Sequence, residues 1–197
     1  WLRTLKNHGM PNFENLDASA VGSALSVTGS VFANVIATGA GNDSIDGGGG
    51  ADVISAGTGD DTVSYYGTEI SIDGGTGTNT LALKTAATVN LAAADQTSGD
   101  FTVVSNFQSI DASVLSTGVT LIGSATTNVI TGGSGNDTID GGGGADVISA
   151  GLGDDTVTYR GTEVSIDGGV GTDTLVVSAG SPITAVNFSV ASGVDQT

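Results

Sequence analysis

The chain has no cysteine, two prolines and one each of tryptophan, methionine and histidine among 197 residues. Each scarcity closes a route. Without cysteine there are no disulfides and no thiolate metal sites. A single histidine, His8, leaves no zinc centre of the usual nitrogen and sulfur ligands, and a Ser–His–Asp arrangement would rest on it alone, in the terminal segment least expected to be ordered. Only Arg3, Lys6, Lys84 and Arg160 are basic, against 21 acidic residues, so the formal net charge is −17. Such a chain repels nucleic acid and anionic membrane surfaces and attracts cations. Aromatic residues are 5% and charged residues 13%, the latter about half the usual share. No apolar run approaches the ~18 residues of a membrane span, so membrane insertion is not expected. No signal peptide is visible and the first residue is Trp rather than Met, as expected of a fragment or a processed product.

What the chain has instead is glycine, 33 residues of it, in a strict beat. Residues 132–158 read GGSGNDTID, GGGGADVIS, AGLGDDTVT, three nine-residue units end to end. Residues 38–64 read TGAGNDSID, GGGGADVIS, AGTGDDTVS. Glycine recurs at positions 2 and 4 and in half the units at position 1; Asp stands at 6 and an aliphatic residue at 8. Both blocks lie inside a longer duplication at an offset of 94 residues. Phe13–Ile36 aligns without gaps to Phe107–Ile130, and the match holds through Leu81 and Leu175. The organisation expected is a non-repeat segment at 1–11 (a scar or a cap), a first copy at 12–105 and a second at 106–197, the two forming one continuous solenoid. The second copy drifts after Leu175; Ala185–Thr197 only echoes Thr88–Thr97.

No helix repeats every nine residues with glycine turns between. A short strand and a tight turn do, with position 8 inward and positions 7 and 9 outward. The inward set is then Val27, Ile36, Ile45, Ile54, Val63, Ile72 and Leu81, and in the second copy Leu121, Ile130, Ile139, Ile148, Val157, Ile166 and Leu175. The fold expected is all-β, a parallel β-roll or β-solenoid in which two units close one coil of 18 residues and coils stack about 4.8 Å apart. Residues 82–120 lack the nonapeptide but keep strand signals, with Val89 and Leu91, then Phe101 and Val103, alternating with polar neighbours. They read as longer coils of the same stack containing an insertion, since 94 is not a multiple of 18.

Stacking the coils places Asp43 beside Asp61, and Asp137 beside Asp155 and then Asp173. On the other edge Asp52 follows Asn34 and Asp146 follows Asn128. Carboxylates at strand spacing, roughly 5 Å, repel by a few kcal/mol at an effective dielectric near 20. A cation between coils reverses that sign. Calcium accepts 6–8 oxygens at about 2.3–2.6 Å, whereas magnesium demands a tighter octahedron. Glycine turns bring backbone carbonyls close enough to complete such a shell.

These units resemble the RTX (repeats-in-toxin) calcium-binding nonapeptide, GGxGxDxUx with U a large aliphatic residue. The resemblance implies a right-handed parallel β-roll with several calcium ions between coils, each held by two position-6 side chains and turn carbonyls. The site residues it implies are Asp43, Asp52, Asp61, Asn79, Asp137, Asp146, Asp155 and Asp173, with Asn34 and Asn128 where each block begins. The turns would be those of Gly39, Gly41, Gly48, Gly50, Gly57, Gly59, Gly133, Gly135, Gly142, Gly144, Gly151 and Gly153. It also implies an extracellular or cell-surface location, secretion by a type I route, and folding triggered by external calcium.

Departures from the pattern bound the expectation. The fourth unit of each copy, Tyr65–Asp73 and Tyr159–Asp167, has lost the turn glycines and carries Ile70 or Val164 at position 6. Glu69 or Glu163 can stand in as a ligand; a solvated Glu is the plainer reading. Asn79 replaces the Asp found at Asp173, so the Asp61–Asn79 site is expected to be the weaker. Tyr65, Tyr66, Tyr159 and Arg160 gather at these interruptions, either as an outer contact patch or as ordinary stacking between coils. Acids that repeat every nine residues do not make a unique active site, so catalysis is not expected. Glycosylation triplets at Asn42, Asn136 and Asn187 read as chance. The function expected is a non-enzymatic structural or adhesive module that folds on calcium and stacks end to end, as a filament or surface layer, or with further copies in a larger chain. The alternative is the secretion and folding segment of a larger toxin or enzyme.

Overall fold

Nine residues accommodate one three-residue strand and one turn, and two such units bring the chain back to the edge it left. In the computed structural model, which describes residues 3–5, 13–178 and 180, this geometry repeats into a β-solenoid with no helix among the described residues. The main sheet has nine parallel strands in chain order: Arg3–Leu5, Leu25–Thr28, Ser44–Asp46, Thr62–Tyr65, Thr80–Leu83, Ser109–Asp111, Val129–Thr131, Val147–Ser149 and Ser165–Asp167. A second sheet faces it in the first copy, with Asn15–Asp17, Val35–Ala37, Val53–Ser55, Ser71–Asp73 and Val103–Ser105. A third faces it in the second copy, with Thr97–Ser98, Thr88–Asn90, Thr120–Ser124, Thr138–Gly142, Thr156–Tyr159 and Thr174–Val177.

Register follows the 18-residue coil. Val35 pairs with Val53 and Val53 with Ser71, while Ser44 pairs with Thr62 and Thr62 with Thr80. The middle residue of each block strand points inward, as the alternation requires. Ile36, Ile45, Ile54, Val63, Ile72 and Leu81 are buried in the first copy, and Leu121, Ile130, Ile139, Ile148 and Val157 in the second. Each such side chain contributes about 1.5–3 kcal/mol on burial. Ile166 and Leu175, in the last described coil, are only partly buried.

The copies do not superpose by simple translation along the stack. Ile45 lies on the main sheet, but its counterpart Ile139 lies on the third sheet; Ile54 lies on the second sheet, but Ile148 lies on the main one. The second copy has advanced by half a coil. The switch happens between Asn79 and Gln108, which are 29 residues apart yet neighbours along the main sheet. From Thr80–Leu83 the chain crosses to Thr88–Asn90, which founds the third sheet. It turns back through Thr97–Ser98, antiparallel to that strand, crosses to Val103–Ser105, which ends the second sheet, and rejoins the main sheet at Ser109–Asp111. One coil thus visits both opposing sheets, and this needs the reversal that makes it the one antiparallel pair among the described strands. The main sheet runs through the joint unbroken.

The joint packs differently from the blocks. Tyr65, Leu83, Val89, Leu91, Val104 and Phe107 are all buried there. Gln96 fills a polar gap: its Oε1 accepts the Phe107 N–H at 2.9 Å and its Nε2 donates to the Leu91 and Phe107 carbonyls. Asn106 takes φ +65°, which Asn tolerates better than most residues, and donates to Asp73 Oδ1 at 2.7 Å. The alternation at 101–103 is out of step with the strand that forms. Phe101 and Val103 lie outside and Val104 is the inward residue, because the strand is set by pairing with Ser71–Asp73. Phe107 is buried although its counterpart Phe13 is 75% exposed. Of residues 1–11 only Arg3–Leu5 is described; it pairs in parallel with Leu25–Val27. His8 and the echo at Ala185–Thr197 lie outside the described residues.

Candidate metal centre

The residue ahead of each strand sits at the coil edge, where its side chain reaches the preceding coil. Along the main sheet these residues form a ladder. The Leu25 N–H donates to Asp43 Oδ1 at 2.8 Å, the Asp43 N–H to Asp61 Oδ1 at 2.7 Å and the Asp61 N–H to Asn79 Oδ1 at 2.9 Å. A second ladder on the third sheet joins Val119 to Asp137 at 2.9 Å, Asp137 to Asp155 at 2.7 Å and Asp155 to Asp173 at 3.0 Å. The N–H groups of Asn34 and Asn128 donate to Asp52 and Asp146, both at 2.8 Å. The structure therefore brings together the neighbours that the 18-residue coil predicts.

The second carboxylate oxygen is where the chemistry lies. Oδ2 of Asp43, Asp52, Asp61, Asp146 and Asp155 is buried with no hydrogen-bond partner. An unsatisfied buried polar atom costs about 1–3 kcal/mol, and more when charged. Burial pushes the carboxyl groups of Asp52, Asp61, Asp146 and Asp155 above their ordinary range, against the pull of the N–H each accepts. Neighbouring acids push the same way: Asp43 acts on Asp61, Asp137 and Asp173 on Asp155. Asp137 differs, because its Oδ2 accepts the Gly133 N–H at 2.8 Å.

Glycine makes the cradle around these oxygens. A Cβ on Gly47 would stand 2.3 Å from Asp52 Oδ2, and one on Gly141 2.6 Å from Asp146 Oδ2. The turn glycines stack on the preceding coil's backbone. Gly57, Gly59, Gly151 and Gly153 stand against the carbonyls of Gly39, Gly41, Gly133 and Gly135. Gly48 and Gly142 stand against Ser30 and Ser124, and Gly50 and Gly144 against Phe32 and Thr126. The carbonyls of Gly39, Gly57, Gly133 and Gly151 each accept one N–H, which leaves a lone pair free. Thr38 fits at position 1 because its hydroxyl donates to the Ala56 carbonyl at 2.7 Å.

Hard oxygen donors around an unpartnered buried carboxylate fit calcium and not zinc. The described residues hold no group of three or more His, Cys, Asp or Glu side chains placed to bind a metal, so main-chain carbonyls must supply most of a shell. Asn34, Asn79 and Asn128 present an amide. Asn34 Oδ1 accepts the Ser30 N–H and Asn128 Oδ1 the Ser124 N–H, while their amide nitrogens donate to the carbonyls of Glu14 and Gln108. Asn79 donates to the Asn106 carbonyl at 3.0 Å.

Sequence reasoning missed Gln108. Its Oε1 accepts the Asn79 N–H at 2.8 Å and its carbonyl accepts from Asn128, so the main-sheet ladder crosses the joint through three neutral amides. Its place directly ahead of the strand Ser109–Asp111 was the available signal. The solvated reading of Glu69 is overturned: Glu69 is buried, because its two oxygens accept the N–H groups of Tyr66 and Thr68 at 2.8 and 3.0 Å. Glu163, half-buried, accepts those of Arg160, Gly161 and Thr162. Tyr65 is buried and donates to Asp100 at 2.6 Å; with burial, that bond holds its hydroxyl far above the usual range. Tyr66 donates to Asp46, and its counterpart Arg160 pairs with the counterpart Asp140 at 2.6 Å. These are contacts between coils, so the tyrosines and Arg160 belong to the stack.

Over both blocks the chain matches the family described as RTX calcium-binding nonapeptide repeat (4 copies), at residues 28–63 and 122–157. The glycine blocks are RTX calcium-binding repeats, folded as a β-solenoid suited to several calcium ions. No curated protein matches the chain.

Proposed function

We propose that this chain is an extracellular structural module whose coils are held together by calcium. The pairs Asp43–Asp61, Asp137–Asp155 and Asp155–Asp173 hold ions with the turns of Gly39, Gly41, Gly57, Gly59, Gly133, Gly135, Gly151 and Gly153. Asp61 and Asn79 form a weaker site, because the Asn79 amide is committed to Asn106. Asp52 and Asp146 bind with the turns of Gly48, Gly50, Gly142 and Gly144, and Asn34 and Asn128 contribute a carbonyl oxygen. The observation that carries this reading is the set of five buried, unpartnered Oδ2 atoms. Each becomes favourable once a cation stands beside it.

Extracellular calcium sites of this class typically bind at 10⁻⁴–10⁻³ M, so sub-micromolar cytosolic calcium leaves them unfilled. The chain then crosses the membrane unfolded, by a type I route, and folds outside. Its role is structural or adhesive, with copies stacked end to end in an assembly or in a larger chain. The joint supports stacking, since one copy already seats on another through a continuous main sheet. Circular dichroism at neutral pH in chelator and in millimolar calcium tests the folding: there, strand signal is expected only with calcium, and a folded spectrum at neutral pH in excess EDTA rejects the mechanism. Electron microscopy and light scattering in calcium test assembly. A strictly monomeric species at high concentration rejects it.

A further inference from the structure

The fourth unit of each copy breaks the nonapeptide but leaves a carboxylate waiting for a partner. Asp52 and Asp146 are fully buried, and each has one oxygen bonded to the preceding coil and one with none. In the following coil the matching residue is Ile70 or Val164, which is exposed, has no side-chain oxygen to offer and donates its N–H at 2.8 Å to the Asp52 or Asp146 carbonyl. An aspartate pair of the regular kind is therefore impossible here. One residue earlier stands Glu69 or Glu163, a methylene longer. The coil that carries Glu69 is tied to the turn of Asp52, with the Gly50 N–H donating to Thr68 Oγ1 at 3.3 Å. The bonds from the Ile70 and Val164 N–H groups to the Asp52 and Asp146 carbonyls set Glu69 and Glu163 beside those aspartates in the next coil. Burial pushes the aspartate carboxyls up most, and the charge of Glu69 and Glu163 adds to that push. Both glutamates are fixed by turn N–H groups; each Glu69 oxygen and Glu163 Oε1 accept one and retain a lone pair, while Glu163 Oε2 accepts two.

We propose that Asp52 with Glu69, and Asp146 with Glu163, form a second class of divalent-cation site, in which a glutamate one residue early replaces the missing aspartate. This rests on the calcium reading above and adds one ion per copy to it. The two acids occupy opposite sides of the coil boundary that the regular pattern leaves uncompensated. The duplication keeps both members of the pair, so the device occurs twice.

The test is ion counting on the full chain by equilibrium dialysis against calcium. The variant Glu69→Gln with Glu163→Gln is expected to bind one ion fewer per copy while its strand signal in calcium persists. Terbium gives a local readout, because the only tyrosines, Tyr65, Tyr66 and Tyr159, lie in the fourth units. In a Trp1→Phe background, tyrosine-sensitised terbium emission should fall in the double variant. An unchanged ion count and unchanged emission overturn the proposal and leave the calcium reading standing. Failure of the wild-type chain to bind calcium overturns both. Should the variant not fold, crystals of the wild-type chain grown in calcium decide. An ion touching Asp52 Oδ2 and Glu69 supports the site, and its absence there overturns it.

Discussion

In the glycine blocks the side chain ahead of each strand is an aspartate; where the main sheet crosses the joint, at Asn79 and Gln108, it is an amide. Asp43 and Asp61 take one N–H from the coil before them and leave Oδ2 bare. Asn79, Gln108 and Asn128 make the same ladder but spend their remaining groups on protein: Asn79 on the Asn106 carbonyl, Asn128 on the Gln108 carbonyl and the Ser124 N–H. All five unpartnered carboxylate oxygens fall within residues 43–61 and 146–155, and none in the joint. The joint also buries Tyr65 and Phe107, the largest fully buried side chains among the described residues, while the blocks offer one aliphatic residue per unit. The same stack is thus stabilised in two ways. Where glycine turns supply carbonyls, charge is left for a metal. Where they do not, neutral amides and aromatic packing close the structure.

Removing calcium should expose this contrast most strongly. As chelator is titrated in, hydrogen exchange is expected to report loss of protection in residues 38–64 and 132–158 before residues 88–110. Simultaneous loss everywhere would erase the distinction. Acid should act on the blocks through the same carboxylates. In the metal-free fold Asp52, Asp61, Asp146 and Asp155 have pKa values raised above the ordinary 3.8. The folded state then holds protons more tightly than the unfolded state, so the contribution is present below the ordinary value and is lost as pH rises through the raised one. In chelator, lowering the pH towards 4 should therefore increase strand signal, whereas in calcium the same change should weaken ion binding by protonating the ligands. Opposite responses in the two solutions are the expected result.

In the joint, Phe107→Ala should cost about 3–5 kcal/mol, as expected for a buried aromatic, measured by denaturant unfolding in saturating calcium. Gln108→Ala removes the acceptor of the Asn79 N–H and should cost about 1–3 kcal/mol with no change in calcium count. A lost ion would mean that the relay belongs to a metal site after all. Arg160→Ala breaks a pair in which both side chains are partly exposed and should cost no more than about 1 kcal/mol. Its removal leaves Asp140 without the hydrogen bonds, and the charge, by which Arg160 lowers its pKa, so a fall in stability concentrated at neutral pH would identify the cause.

The sequence by itself determined the coil. A nine-residue covalent period with glycine turns and one aliphatic position admits a single way of stacking, and it set the inward residues from Val27 to Leu81 and the Asp neighbours 18 apart. The tertiary structure alone decided the half-coil shift between copies, the antiparallel return at Thr97–Ser98, the burial of Val104 in place of Val103, the amide relay through Gln108 and the burial of Glu69. These depend on how a 29-residue span without the glycine beat finds its way back to a fixed sheet edge. Local alternation gives no information about that route. Strand pairing with coils already in place sets it, and pairing partners far apart in sequence leave no periodic mark along the chain.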